Sequence, residues 1–294
     1  MIPPPPLSVE SGRFPLELIR EATEVLEGAQ VHRPQWTAEQ LLGFQLGIMP
    51  VDLYADNPPV GTRQELRFRA DVAARAGGMP LQYLLGAASF YGREFSVGPG
   101  VFIPRPETEV LVDVGLDFLS DLYGTRKPSP FLIDVGTGCG ILAVTLALEQ
   151  PHFRIVGVDI SDQALSFAEE NGRRYEAEVT WVRSDLLNSF APRSADLIVA
   201  NPPYLDSETA AQWPSELAWE PWLALSGGPK GIEVIRRLMR EAERVLRPGG
   251  LLVLEIAETQ PDFLRTFEIP HRLQVKSVEK DLAGMDRIMV LSRG

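Results

Sequence analysis

The chain has 294 residues, 45% hydrophobic and 23% charged, with a formal net charge of −12. Such length and balance predict one large folded domain with a smaller companion and exclude a disordered or fibrous chain. The acidic excess also argues against a partner held mainly through phosphates, because that binding needs Lys and Arg to neutralise a backbone, so no direct nucleic-acid partner is expected.

The single cysteine, Cys139, cannot form an intramolecular disulfide, and three histidines make no ligand cluster, so no metal is expected and a reducing cytoplasm fits. Met1-Ile2 followed by Pro3 to Pro6 lacks the basic and apolar regions of a signal peptide. No apolar stretch approaches the roughly 18 residues that span a bilayer. The expectation is a cytoplasmic monomer away from membranes.

In chain order, apolar residues first recur at helical spacing: Leu18, Ile19, Ala22, Val25 and Leu26, then Ala38, Leu41, Leu42 and Leu46, then Leu66, Val72 and Ala73. A small helical domain is expected there, its helices stopped by Pro34, Pro50, Pro58, Pro59 and Gly77-Gly78. From Leu84 to Ile103, short apolar and aromatic runs broken by glycine predict a β-hairpin linker. A helix is predicted from Thr108 to Tyr123, stopping at Gly124 and Pro128.

Beyond Pro130 the pattern alternates between strand and helix, which predicts a parallel sheet with helices on its faces. Strands are expected at Phe131–Val135, Arg154–Asp159, Glu178–Arg183, Leu197–Ala200 and Leu251–Ile256, with a final pair near Leu273–Val278 and Arg287–Leu291. Helices are expected at Ile141–Gln150, Asp162–Tyr175 and Gly231–Leu246. On the last of these, Arg236, Arg237, Arg240 and Arg244 lie among Glu residues and predict a solvated face of i,i+4 pairs.

The first strand of this region runs into Asp134-Val135-Gly136-Thr137-Gly138-Cys139-Gly140 before an apolar helix. Glycines there allow a tight turn and a close backbone approach to a ligand. The spacing is G-x-G-x-G, not the dinucleotide G-x-G-x-x-G, and the preceding acid suits a cationic ligand better than a pyrophosphate. Cys139 reads as a packing residue, with no basic neighbour in sequence to activate it. Asp159 follows 23 positions after Gly136, placed to accept from two ribose hydroxyls, and Asp185-Leu186 ends the third strand beside an expected adenine. A helix N-cap is the plainer role for an Asp after a strand. S-adenosylmethionine (AdoMet) carries an ammonium, a sulfonium and a ribose diol but no phosphate, and it fits this set of carboxylates; NAD is the competing ligand. The expected cofactor residues are Asp134, Val135, Gly136, Thr137, Gly138, Gly140, Asp159, Asp185, Leu186 and Asn201.

The fourth strand leads into Asn201-Pro202-Pro203-Tyr204. Two prolines stiffen the loop and leave its carbonyls free to accept. The Asn201 side-chain oxygen and the Pro202 carbonyl could then each take one N–H of a planar NH₂ group, favouring its pyramidal form, with Tyr204 stacked on the plane. Asn201, Pro202 and Tyr204 are the expected catalytic residues.

With these motifs in place, the sequence resembles the N5-glutamine methyltransferases that modify peptide chain release factors. The resemblance is carried by Pro80-Leu81-Gln82-Tyr83-Leu84-Leu85-Gly86, by Phe90, Gly92 and Phe95, and by Val101-Phe102-Ile103-Pro104-Arg105-Pro106-Glu107-Thr108-Glu109. It continues through the glycine loop, Asn201 to Tyr204, Glu220-Pro221, Arg247-Pro248-Gly249-Gly250, Glu255-Ile256, and Asp281 with Gly284, Asp286 and Arg287. It implies an α/β fold: a seven-stranded class I AdoMet-dependent methyltransferase (Rossmann-like) domain at 108–294 with its last strand antiparallel, a β-hairpin linker at 85–107, and a helical substrate-recognition domain at 1–84. It implies a reaction that leaves S-adenosylhomocysteine and methylates the glutamine of a Gly-Gly-Gln loop in class I release factors. By the same resemblance Phe102 walls the target glutamine, with Pro203 also at the substrate. Arg105 and Glu107 either shape the loop near the methionine end of the cofactor or form a structural ion pair. A ribosomal protein, or the exocyclic amine of a nucleic acid, is the alternative substrate. One departure is Ala257, where the family usually has glycine.

Overall fold

The computed structural model describes residues 13–123, 130–258, 260 and 269–294. The proline-rich tip and the helix stop at Gly124 and Pro128 lie outside them. The chain divides into two units, Met1–Gly86 and Ala87–Gly294.

In the first unit, α1 (Pro15–Gly28), α2 (Pro34–Leu46), α3 (Asp52–Ala55), α4 (Thr62–Ala76) and α5 (Leu81–Leu85) enclose one apolar core. Pro15 and Pro34 open α1 and α2, where a missing N–H costs no helix bond. Leu18, Ile19, Ala22, Leu26, Ala38, Leu41, Leu42 and Val72 are buried as the spacing predicted. Val25, Leu66 and Ala73 are not: all three are exposed, Val25 at 51% and Leu66 at 64%. On α4 the inward positions are Phe68, Val72 and Arg75, spaced i, i+4, i+7, which turns Leu66 outward.

The second unit opens with the predicted hairpin, β1 (Ala87–Phe90) antiparallel to β2 (Arg93–Ser96). A 3-10 turn at Pro106–Thr108 then leads into α6 (Glu109–Tyr123). A seven-stranded sheet follows, made of β3 (Phe131–Val135), β4 (Arg154–Asp159), β5 (Val179–Arg183), β6 (Ala195–Ala200), β7 (Leu246–Glu255), β8 (Leu273–Lys280) and β9 (Asp286–Arg293). The spatial order is β5-β4-β3-β6-β7-β9-β8. The strands β3 to β7 pair in parallel, and β9 is antiparallel to both neighbours. The chain winds outward from β3 through β4 to β5, then returns to place β6 on the other side of β3. That reversal makes a topological switch point, and a crevice opens at the carboxyl ends of β3 and β6.

The helices on this sheet are α6, α7 (Ile141–Glu149), α8 (Asp162–Arg174) and α10 (Glu233–Val245), with the short α9 (Trp222–Leu225) in the segment after β6. The sheet's central strands are apolar on both faces, as a covered parallel sheet requires: every residue of β6 is buried. Two arginines of α10 depart from the predicted i,i+4 pairing. Arg237 reaches Asp185 at 2.7 Å, and Arg244 donates to the carbonyls of Phe190 and Leu187 at 2.6 and 2.9 Å. The loop after β5 lies along this helix face, and its carbonyls take the guanidinium in place of neighbouring glutamates.

Candidate active site

The glycine loop leaves β3 at the switch point, its backbone held by bonds from Gly136 and Thr137 N–H to the Val158 carbonyl at 2.8 and 2.9 Å. Gly136, Gly138 and Gly140 all have positive φ, so an L side chain would strain each of them. A Cβ on Gly136 or Gly138 would find its nearest neighbour at 4.0 Å, the Asn201 carbonyl and the Val101 side chain respectively. Room for a ligand therefore lies between loop, acceptor segment and Val101. Gly140 serves packing instead: a Cβ there would stand 3.0 Å from the Trp181 ring and 3.2 Å from Ala168. The Val135 side chain belongs to the sheet core.

Asp134 is wholly buried beneath this loop. Its Oδ2 accepts from the Thr137 hydroxyl at 2.6 Å and from Ala143 N–H at 3.1 Å. Its Oδ1 has no hydrogen-bond partner among the described residues. Burial pushes the carboxyl up to about 7 despite those two bonds. Asp159 accepts from Gly138 and Ser161 N–H, both at 2.9 Å, and burial raises its pKa as well. The N-cap of α8 is Ser161, which accepts from Ala164 N–H, so Asp159 is not the helix cap. An open glycine cradle, an orphaned buried carboxylate oxygen and a second carboxylate at the next strand end fit a ligand with an ammonium and a diol. Asp185 stands further out, paired with Arg237, beside Leu186 in the left-handed region.

Opposite the cradle, Asn201 begins the acceptor loop at the end of β6. Its Nδ2 donates to the Thr108 hydroxyl at 3.1 Å. Thr108, fully buried, donates in turn to Glu255 Oε2 at 2.6 Å. The other oxygen of Glu255 accepts from the Tyr204 hydroxyl at 3.0 Å. Glu255 ends the apolar strand β7 at 1% exposure, and burial raises its pKa against the opposing pull of both hydroxyls and Arg287. Burial and the Glu255 charge also raise the Tyr204 phenol, which stays protonated as a donor. The loop backbone is held by Gln260, whose Nε2 donates to the carbonyls of Tyr204 and Gly231 at 3.1 and 3.0 Å. A side chain on Gly231 is impossible, since its Cβ would lie 2.0 Å from the Tyr204 carbonyl. Ala257, at the position where glycine was expected, donates its N–H to Gln260 Oε1 at 2.9 Å and so joins the same brace.

The segment after the hairpin forms a third wall. Glu220, 6% exposed, accepts from Ile103 N–H at 2.9 Å and pairs with Arg105, whose guanidinium lies 5.0 Å over the Phe102 ring. The ion partner of Arg105 is thus Glu220, not Glu107; the 3-10 turn faces Glu107 outward while Glu220 comes back from the loop beyond Tyr204. The hairpin is fixed to the sheet by buried Asn171 of α8, which exchanges bonds with Ser96 N–H and carbonyl at 2.7 and 3.0 Å and donates to the Cys139 carbonyl at 2.9 Å. Cys139 is buried, and that burial pushes its thiol up to about 12, which suits packing and not nucleophilic work.

The structure thus gathers Asp134, Thr137, Gly138 and Asp159 on one side of the crevice, with Asn201 and Tyr204 on the other. Sequence reading gave no role to Thr108, Glu255, Glu220, Asn171 or Gln260. A signal did exist for Glu255: a carboxylate closing the apolar run Leu251 to Leu254 must be buried, and a buried charge needs named partners.

Known proteins place this architecture. Residues 94–216 match the family model "Methyltransferase small domain" and residues 17–86 match "PrmC N-terminal domain". A solved methyltransferase from Pyrococcus furiosus shares the fold, with a TM-score of 0.50 at 16% identity over 80% of this chain and all of that one. The class of protein is an AdoMet-dependent methyltransferase. Release factor glutamine methyltransferases of Koribacter versatilis and Bacillus subtilis are 37% and 36% identical, over 92% and 87% of this chain and 95% and 90% of their own. At that identity and coverage the chain belongs to the release factor glutamine methyltransferase family.

Proposed function

We propose that the chain methylates the side-chain amide nitrogen (N5) of the glutamine in the Gly-Gly-Gln loop of a class I peptide chain release factor. The observation that carries the reading is Asn201: with its Nδ2 committed to Thr108, its Oδ1 is the acceptor it presents at the switch-point crevice. When bound, AdoMet supplies an electrophilic methyl on a sulfonium. Asn201 Oδ1 and the Pro202 carbonyl accept the two N–H bonds of the glutamine amide and hold its nitrogen pyramidal, lone pair toward the methyl. The methylated amide is acidic enough to lose its proton to water, so no strong base is required. Tyr204, its hydroxyl pinned by Glu255, orients the amide plane with its ring. Pro203 keeps the loop stiff, and Phe102 under Arg105 walls the target side chain, with Glu107 at its outer edge.

On the cofactor side, Asp134 and the Gly136–Gly138 cradle serve the methionine end, Asp159 the ribose, and Asp185 with Leu186 the adenine. The helical unit supplies substrate recognition, supported by exposed Phe44, Met49 and Val51. On this reading the enzyme is a monomer acting in the cytoplasm. The net charge of −12 supports a protein substrate over a nucleic acid.

The test offers labelled AdoMet with a release factor, the same factor with its loop Gln changed to Ala, a ribosomal-protein fraction, and duplex DNA. Label is expected on the intact release factor alone. Label on DNA or ribosomal protein, with none on the release factor, overturns the reading.

A further inference from the structure

Glu255 is the most deeply placed carboxylate of the acceptor side, yet the chemistry above needs it only to hold Tyr204. Its second oxygen is committed elsewhere, to the Thr108 hydroxyl at 2.6 Å. We propose that Glu255 and Thr108 are positioning residues for methyl transfer, a two-step relay that decides which end of the Asn201 amide faces the substrate. This rests on the reading of Asn201 Oδ1 as the acceptor.

Both oxygens of Glu255 act as acceptors, one for the Thr108 hydroxyl and one for the Tyr204 hydroxyl. Thr108 must therefore spend its single hydroxyl proton on Glu255, and the oxygen turns a lone pair toward Asn201. A lone pair can be met only by the amide's N–H end, which lies 3.1 Å away as Nδ2. The carbonyl end is left for the substrate N–H. Remove the acceptor-only group and the direction is lost: a Thr108 hydroxyl free to donate toward Asn201 would draw the amide oxygen to itself and present N–H to N–H. Two amide orientations of one side chain differ little in shape, so packing alone cannot choose between them. The relay is closed from solvent, with Thr108 at 0% and Glu255 at 1% exposure, so water does not substitute for either member.

The experiment measures single-turnover methyl transfer, release-factor KM and calorimetric AdoMet affinity for Thr108→Val, Thr108→Ser, Glu255→Gln and Asn201→Ala. Thr108→Val keeps the shape without the hydroxyl, and Glu255→Gln keeps the shape but can donate. Both are expected to slow transfer by about ten- to a hundredfold while KM and AdoMet affinity stay within about threefold. Thr108→Ser restores the hydroxyl and is expected to remain within about threefold of wild type. The relay is overturned if Glu255→Gln or Thr108→Val turns over near the wild-type rate, or if Thr108→Ser falls as far as Thr108→Val. Should Thr108→Val fail to fold, the Ser and Gln variants decide alone. A near wild-type rate for Asn201→Ala removes the acceptor reading itself, whereas a slow Asn201→Ala beside unaffected Thr108 and Glu255 variants removes only the relay.

Discussion

Asp196 and Glu255 are buried carboxylates of the same sheet, at opposite ends of it. Asp196, 2% exposed near the start of β6, accepts from Phe131 N–H at 3.0 Å and pairs with Arg247, whose Arg-Pro-Gly-Gly segment opens β7. Glu255, at the far end of β7, meets two hydroxyls, while Arg287 acts on it through space and bonds to Asp281. The difference lies in what each partner can do. A guanidinium only donates, so the Asp196 pair has one possible sense and works as a scaffold. A hydroxyl donates or accepts, so a carboxylate that fixes its sense passes that choice on to the next group. On the proposed relay, burial alone does not separate structural from functional acids in this sheet; the chemistry of the partner does.

The comparison is sharpened most by removing the group at the end of the Glu255 chain. Asn201→Ala is expected to lower single-turnover methyl transfer by about 10²–10³, or roughly 2.7–4 kcal/mol, with AdoMet bound within a few-fold. An Asn201→Asp variant, which still accepts, should be milder. A near wild-type rate would reduce Asn201 to scaffold. At the other end, Asp196→Ala should cost about 2–3 kcal/mol of stability, less than a fully buried pair because Arg247 keeps 38% of its side-chain exposure. Denaturant unfolding gives that number, and the rate per folded molecule should not change. A selective loss of rate would put Asp196 in the site and erase the contrast.

Asp159→Ala removes an acceptor that also braces Gly138 N–H. AdoMet affinity should fall tenfold or more, from loss of roughly 1.5–3 kcal/mol per bond to a charged group. An unchanged dissociation constant by calorimetry would leave Asp159 as a loop brace only. The effect of Asp134 is confined to the pH dependence of stability. Its folded carboxyl, at about 7, lies above the ordinary 3.8, so the folded chain keeps a proton that the unfolded chain releases. Stability from this group is complete at low pH and declines by about 1.4 kcal/mol per unit as pH rises through that window, levelling above it. Asp134→Asn should flatten the ligand-free stability profile between those limits; parallel profiles for both proteins would refute the assignment.

Most of the catalytic unit was legible because strands here are short apolar runs closed by Asp, Asn or Gly, and each closure marks the same rim. Strand order was not legible in that way. Nothing local tells β9 to enter between β7 and β8, since pairing is decided by which edges remain open once the parallel strands are covered. The glycine and acceptor loops could be read because each is contiguous. The Thr108–Glu255 bond could not: Glu255 at the end of an apolar run announces its burial, but its partner stands 147 positions away with nothing local to name it. Asn171 was hidden for a related reason: an Asn on a helix ordinarily faces water, and its partners, Ser96 and the Cys139 carbonyl, stand 75 and 32 positions away. In the helical unit, periodicity placed the core but missed Val25, Leu66 and Ala73, because an apolar residue near a buried face need not point into it.

Trp181 carries a consequence for how this chain can drift. It stands opposite Gly157 across β4 and β5, and a Cβ at Gly157 would come within 2.4 Å of its ring, one at Gly172 within 3.0 Å. Those two glycines are bare to make way for the indole, not for any turn, and neither has the positive φ that holds Gly140 to glycine. Substitution at 157 and 181 is therefore historically ordered: alanine at 157 is closed to a lineage until position 181 has shrunk, while alanine at 172 asks the indole to give by a few tenths of an ångström. Once side chains have grown into the vacated space, a return to tryptophan is closed as well. The sheet floor beneath the glycine loop then behaves as a ratchet, in which an early change at one position dictates which later changes selection can accept.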